Sequence, residues 1–153
     1  MKPRRILIFS LVYYPRAIGG AEVAVKEITD RISPEDVQFD MITLRLDRSL
    51  PKHEKIGNVS VYRVGWAFQQ RTSSDSLPWY LHINKYAYLL TGFFRALGLD
   101  RLEPYDAVWS MMATYNSFAA LFFKLIHPRT PFLLTLQEGD PPEYMERRAR
   151  PLW

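Results

Sequence analysis

The residues best suited to chemistry in this chain stand in short segments between apolar runs. Gly19-Gly20-Ala21-Glu22 opens a stretch of helical periodicity. Glycines at such a place let the backbone approach a ligand closely, and the free amides of a helix N-terminus suit a phosphate group. The same dipeptide also serves an ordinary tight turn that needs positive φ. No G-x-G-x-x-G and no Walker lysine follows, which weakens the dehydrogenase and P-loop readings. A second segment is Gln137-Glu138-Gly139-Asp140-Pro141-Pro142. Glu138 and Asp140 are able to exchange protons, whereas Gln137 only donates or accepts hydrogen bonds at neutral pH. Gly, Asp and Pro-Pro equally make a surface turn. His53, His82 and His127 are scattered with no metal-ligand spacing. Asp40 falls within a predicted strand and Asp47 just past its end, where a carboxylate could face a ribose.

Periodicity predicts the elements that hold these residues. Residues 6–9 form a continuous apolar run, as in a strand buried on both faces of a parallel sheet. Residues 21–32 carry apolar side chains at 21, 24, 25, 28 and 32, one stripe of a helix that Pro34 would stop. Residues 37–44 then form a strand, and strand, glycine loop, helix, strand is a βαβ unit. Further strands are predicted at 59–64, 106–111 and 131–136, and helices at 79–97, 117–126 and from about 143. Residues 65–78 read as a long loop. This alternation predicts an α/β fold: a Rossmann-like open, mostly parallel sheet with helices on both faces. Ligands in such sheets bind beyond the carboxyl ends of the strands, so the segments of interest are 10–20, 110–116 and 137–142.

Composition narrows the class. The chain has 153 residues, 48% hydrophobic and 14% aromatic, enough for one buried core and too apolar for a disordered chain. Residues 1–60 hold ten basic and eight acidic side chains and residues 61–153 hold the same numbers, so the net charge of +4 has no basic tail or half, and charge gives no argument for nucleic acid. The absence of cysteine excludes disulfides, zinc-thiolate sites and a thiol nucleophile, and is compatible with a reducing cytosol. The basic start and short apolar run lack a small-residue cleavage site, and no run approaches the length of a membrane span. The aromatic stretch at residues 79–95 has two readings, as a core helix or as a surface resting on an anionic membrane with Lys85, Arg95 and Arg101.

Taken together, Ile6-Leu7-Ile8-Phe9-Ser10, Tyr14-Pro15, Ile18-Gly19-Gly20-Ala21-Glu22 and Val25 resemble the amino terminus of family 4 glycosyltransferases of the GT-B fold. Tyr105-Asp106-Ala107-Val108-Trp109, the helix at 117–126 and Pro131-Phe132-Leu133-Leu134-Thr135-Leu136 are similar to the later strand–helix–strand of that family. The resemblance implies one Rossmann-like domain over residues 1–153, the acceptor-side half of a retaining enzyme that moves a sugar from a nucleotide-diphosphate donor to an acceptor hydroxyl. It assigns Gly19, Gly20 and Glu22 to the donor diphosphate, with Glu22 capping or bracing the loop. Tyr14, Arg16, Ser110, Met111 and Tyr115 fall to acceptor binding, and Gln137, Glu138 and Asp140 to catalysis.

Backbone amides at the glycine loop would stabilise the charge that develops on the leaving phosphate, so no metal or other cofactor is expected. The sequence departs from the family pattern at two places. No histidine ends the strand at Trp109-Ser110-Met111, and Gln137 stands where a loop histidine is usual. Two glutamate pairs, Glu27…Glu35 and Glu138…Glu146, match the spacing of the family's donor site. The first spans a predicted helix end, and the second lacks the small-residue helix that should follow. The expected partners are a nucleotide sugar, a sugar or lipid-linked acceptor, and a donor-binding domain or separate subunit outside this chain, with no nucleic acid. The expected location is cytoplasmic, with contact at the inner membrane face left open. The competing reading is a non-catalytic binding or scaffolding domain, or one subunit of a split enzyme.

Overall fold

A computed structural model describes residues 2–15, 18–67 and 79–136, with the side chains of residues 80–82 excepted. The elements run β1 (Arg4–Phe9), α1 (Gly20–Asp30), β2 (Val37–Leu44), β3 (His53–Ile56), β4 (Val59–Val64), α2 (Trp79–Leu102), β5 (Ala107–Met111), α3 (Tyr115–Ile126) and β6 (Phe132–Thr135). They build one six-stranded sheet in the order β3-β4-β2-β1-β5-β6. Every neighbouring pair is parallel except β3 with β4. This is the Rossmann-like architecture expected from the sequence.

Period-two alternation decides which core each strand residue enters. Leu7 and Phe9 of β1, with Ile42 and Leu44 of β2, pack under α2 and α3 against Tyr88, Ala96, Leu99 and Phe123. Ile8, Phe39, Met41 and Val61 face the other way, toward Val25 of α1. Both faces of β1 are therefore covered, which is why its sequence is uninterrupted and apolar.

The strand β3 was not expected. It pairs antiparallel with β4 through a hairpin at Gly57-Asn58, with Ile56 opposite Val59. Gly57 has φ of 57°, and a Cβ there would stand 2.0 Å from Asp30 Oδ1 at the end of α1. The Asn58 amide donates to that same carboxylate at 3.0 Å. Its side-chain nitrogen donates to the carbonyls of Ile32 at 2.8 Å and Thr29 at 3.3 Å, acceptors left over where the helix stops. So α1 ends at Asp30, ahead of Pro34, with this hairpin covering its C-terminus.

Asp40 lies mid-strand, where it lines a polar cavity beside Arg5. It forms a buried ion pair with Arg5 and accepts from the Tyr105 hydroxyl at 2.7 Å, while the Arg5 guanidinium stacks on the Tyr105 ring. Asp47 is buried as well, and its Oδ1 accepts from the amide and hydroxyl of Ser49, an Asx-type turn.

Candidate functional site

The strand order reverses between β1 and β5, since the chain leaves β1 toward β2 on one side and runs from β5 to β6 on the other. A crevice opens at such a switch point, outside the carboxyl ends of the strands. Here it holds two adjoining cavities. The smaller, of 240 Å³, is lined by Ser10, Leu11, Glu22, Lys85, Met111 and Thr114 among others. The larger, of 590 Å³, shares Leu11, Lys85 and Thr114 and extends over Ala113, Tyr115 and Phe118. A polar cavity of 320 Å³ also exists around Arg5, Asp40 and Lys55. It surrounds the Arg5–Asp40 ion pair, away from the switch point.

The head of α1 forms one wall. Gly19 is its N-cap in extended backbone (φ −123°), and Gly20 is the first helical residue. Neither has positive φ, so the tight-turn reading of this pair gives way. What the structure shows instead is space. No heavy atom lies within 4 Å of a Cβ placed on Gly20, while a Cβ on Gly19 would meet Glu22 Oε2 at 2.8 Å. Glu22 is buried, and that oxygen accepts from the Gly19 amide at 2.8 Å, the back-bonding half of a capping box. The first amides of the helix remain without intrahelical partners beside the smaller cavity.

The opposite wall is the turn from β5 into α3. Met112 adopts φ of 65°, an unusual conformation for a residue with a side chain. Two hydrogen bonds hold it: its amide donates to Thr135 O at 2.8 Å, and its carbonyl accepts from Ser117 Oγ at 2.6 Å. Beneath it Asn116, wholly buried, donates to the carbonyls of Phe9 at 3.0 Å and Met111 at 2.8 Å. One side chain thereby ties the carboxyl ends of β1 and β5 together, which fixes the floor of the crevice. The loop after β1 is held from the other side by Arg63, also buried, which donates to Tyr14 O at 2.8 Å and Pro51 O at 3.0 Å.

The expected site residues distribute unevenly. Glu22, Met111 and Tyr115 line the crevice, and Gly19 and Gly20 are exposed directly before Ala21 and Glu22 on its wall. Ser110 is wholly buried below the surface, its hydroxyl 3.0 Å from that of Ser117 and within reach of Asn116, so it lines neither cavity. Tyr14 also lines neither, because its ring packs edge-on against Tyr13 on the α1 side. Arg16, Gln137, Glu138 and Asp140 lie outside the described residues, as do the predicted helix from about 143 and the glutamate pair ending at Glu146.

Lys85 is the residue the sequence reading did not assign to the site. It reaches both cavities from α2, and no ion-pair partner is present for it among the described residues. A lysine and a helix N-terminus facing one cavity make an environment for an anion. Among the described residues no group of three or more His, Asp or Glu side chains is placed to hold a metal ion.

No protein-family model matches the chain, and no curated protein matches it. Solved structures do. Sucrose-phosphate synthase from Thermosynechococcus elongatus is similar with a TM-score of 0.58 at 12% identity, covering 88% of this chain and 33% of that one. A second structure of the same synthase gives 0.57 at 11% identity, with 96% and 68% covered. This chain spans about a third of the length of the first. At such identity the likeness concerns the fold: a six-stranded, mostly parallel sheet with helices, of the kind that forms one half of a GT-B glycosyltransferase.

Proposed function

We propose that this chain is the acceptor-side half of a retaining, nucleotide-sugar-dependent glycosyltransferase of the family 4 type, with the donor-binding half supplied by polypeptide beyond it. The observation that carries the reading is the crevice at the switch point, where Ala21 and Glu22 at the head of α1 and Lys85 of α2 line one 240 Å³ cavity, with the unobstructed Gly20 directly before them. The fold it shares with sucrose-phosphate synthase supports the same class.

The chemistry fits these groups. In sugar transfer the bond from the anomeric carbon to the diphosphate oxygen breaks, and a new bond forms from that carbon to the acceptor oxygen, whose proton is lost. Negative charge grows on the departing phosphate. Amides at the head of α1 and the Lys85 cation stabilise it without reorganising, the condition under which electrostatic stabilisation is strongest. The larger cavity, walled by Tyr115 and Phe118, takes the acceptor, a sugar or lipid-linked hydroxyl. Gln137, Glu138 and Asp140 remain the candidates for handling its proton.

A second reading, a binding domain that keeps the fold without the chemistry, has one observation in its favour. The single carboxylate lining the described crevice, Glu22, is already engaged by the Gly19 amide. The two readings share an anion site and differ in turnover. Thermal unfolding of the chain with uridine diphosphate or inorganic pyrophosphate tests the shared part. A ligand at a hundred times its Kd adds about 2.7 kcal/mol of stability. Protection that Lys85→Ala removes supports the site, and no protection by any nucleoside diphosphate contradicts it. Sugar transfer on adding the donor-binding half then separates enzyme from binding domain.

A further inference from the structure

We infer that the polar cavity at the amino ends of the parallel strands binds an uncharged, polyhydroxylated ligand, a saccharide unit. The cavity lies at the opposite end of the sheet from the switch-point crevice. Strand register assembles it: Arg5 stands opposite Gln38, and Ser60 opposite both Asp40 and Lys55. Period-two alternation puts these side chains on the face that Leu7, Ile42 and Tyr62 turn toward α2. All of them line the cavity, with Tyr62 and Glu103, and its 320 Å³ has room for about ten water molecules.

The charges of the lining cancel. Arg5 pairs with Asp40, and its Nε lies 3.4 Å from a Glu103 oxygen, so one cation serves two carboxylates. Lys55 supplies the second positive charge of the lining. Glu103 is also met by Lys2, which does not line the cavity. An anion here would face Asp40 and Glu103, and a cation would face Arg5 and Lys55. A neutral ligand whose groups both donate and accept meets neither penalty.

The groups left over match such a ligand. The side chains of Gln38, Lys55, Ser60 and Tyr62 line the cavity with no hydrogen bond or ion pair among the described residues. The Gln38 amide and the Ser60 and Tyr62 hydroxyls both donate and accept, and the Lys55 ammonium donates. Tyr62 is held in place, with His53 stacked on its ring at 4.4 Å and the Arg95 guanidinium over it at 4.6 Å. Arg5 is held by Asp40 and by the Tyr105 ring. Groups fixed before the ligand arrives lose little freedom on binding it. This inference stands apart from the transferase reading and needs neither a donor nor the crevice residues.

Amide chemical shifts of the labelled full chain, followed as glucose is added and in separate titrations with gluconate and glucosamine, test it. Saturable glucose shifts are expected at Gln38, Lys55, Ser60 and Tyr62, with Lys85 and Thr114 unmoved. Gluconate and glucosamine carry charges of opposite sign, and both should bind more weakly than glucose. Tyr62→Phe keeps the ring and removes the hydroxyl, and Gln38→Ala shortens an exposed side chain, so urea unfolding should hold for both. Each should weaken glucose binding by about fivefold, the loss of one hydrogen bond. No saturable shift with glucose, shifts at Lys85 and Thr114 instead, or tighter binding of either charged analogue would overturn the inference. So would an affinity for glucose that both variants leave unchanged.

Discussion

The Glu22 carboxylate accepts a hydrogen bond from the Gly19 amide at 2.8 Å, and a Cβ on Gly19 would lie at that same distance from the accepting oxygen. The pair therefore holds the entry to α1 in a form that any larger residue at 19 disturbs. Gly20 differs, since a side chain there would project into open space. Gly19→Ala should lower stability and loosen the loop. Gly20→Val should leave unfolding nearly unchanged, apart from helix propensity, and block diphosphate binding. Glu22→Ala removes the brace and should cost about 1 kcal/mol, a typical value for a lost helix cap. Urea unfolding beside pyrophosphate titration separates the two effects.

Asn116 is a floor residue, without contact to ligand in this account. Asn116→Ala leaves the Phe9 and Met111 carbonyls short of a buried donor, and each such loss costs on the order of 1–3 kcal/mol. A drop of roughly 2 kcal/mol or more in urea unfolding is expected. Asn116→Asp, which lacks the donating amide, should do no better.

The hairpin at Gly57 makes a sharper demand. An alanine there would bear positive φ, worth about 1–2 kcal/mol, and would meet the Asp30 carboxylate as well. Gly57→Ala should therefore destabilise by at least about 2 kcal/mol. Adding Asp30→Ala relieves the collision but not the φ cost, so only part of the loss should return. Full recovery in thermal unfolding would show that backbone strain has no share.

Alkaline pH should unfold the protein. Burial holds the phenols of Tyr88 and Tyr13 above their ordinary value, and burial with the nearby Asp40 charge does so for Tyr105 and Tyr62. A raised folded-state pKa stabilises fully below the unfolded value, near 10, and that stability is lost as pH climbs toward the folded value. Stability should thus be flat on this account up to about pH 9 and fall beyond about 10. Tyrosinate absorbance should show a fraction of the nine tyrosines ionising only as the fold is lost. All nine titrating near 10 with the fold intact would contradict it.

The central sheet was legible because β1, β2 and β5 are buried on both faces and their apolar runs say so. β3 was missed although Gly57-Asn58 is a two-residue hairpin signal. His53-Glu54-Lys55-Ile56 lies at the sheet edge, with His53 and Lys55 exposed, and an edge strand shows little hydrophobic pattern. The glycine loop was legible from residue type and its place after a strand. Lys85 was not, because which way it points depends on how α2 lies on the sheet. Asn84 sets that phase by bonding both the amide and the carbonyl of Trp66 at the end of the β4 connection. Arg5 and Asp40 pair across 35 positions of sequence, a relationship that strand register creates and local pattern does not reveal.

The claim that matters most is that a diphosphate binds at the head of α1. Amide chemical shifts of the labelled chain, followed while uridine diphosphate is added, test it residue by residue. Saturable shifts are expected at Gly19, Gly20 and Ala21, with Thr114 and the Lys85 backbone following, and their loss in Gly20→Val. Shifts gathered around Arg5 and Lys55, or none at all, would contradict it.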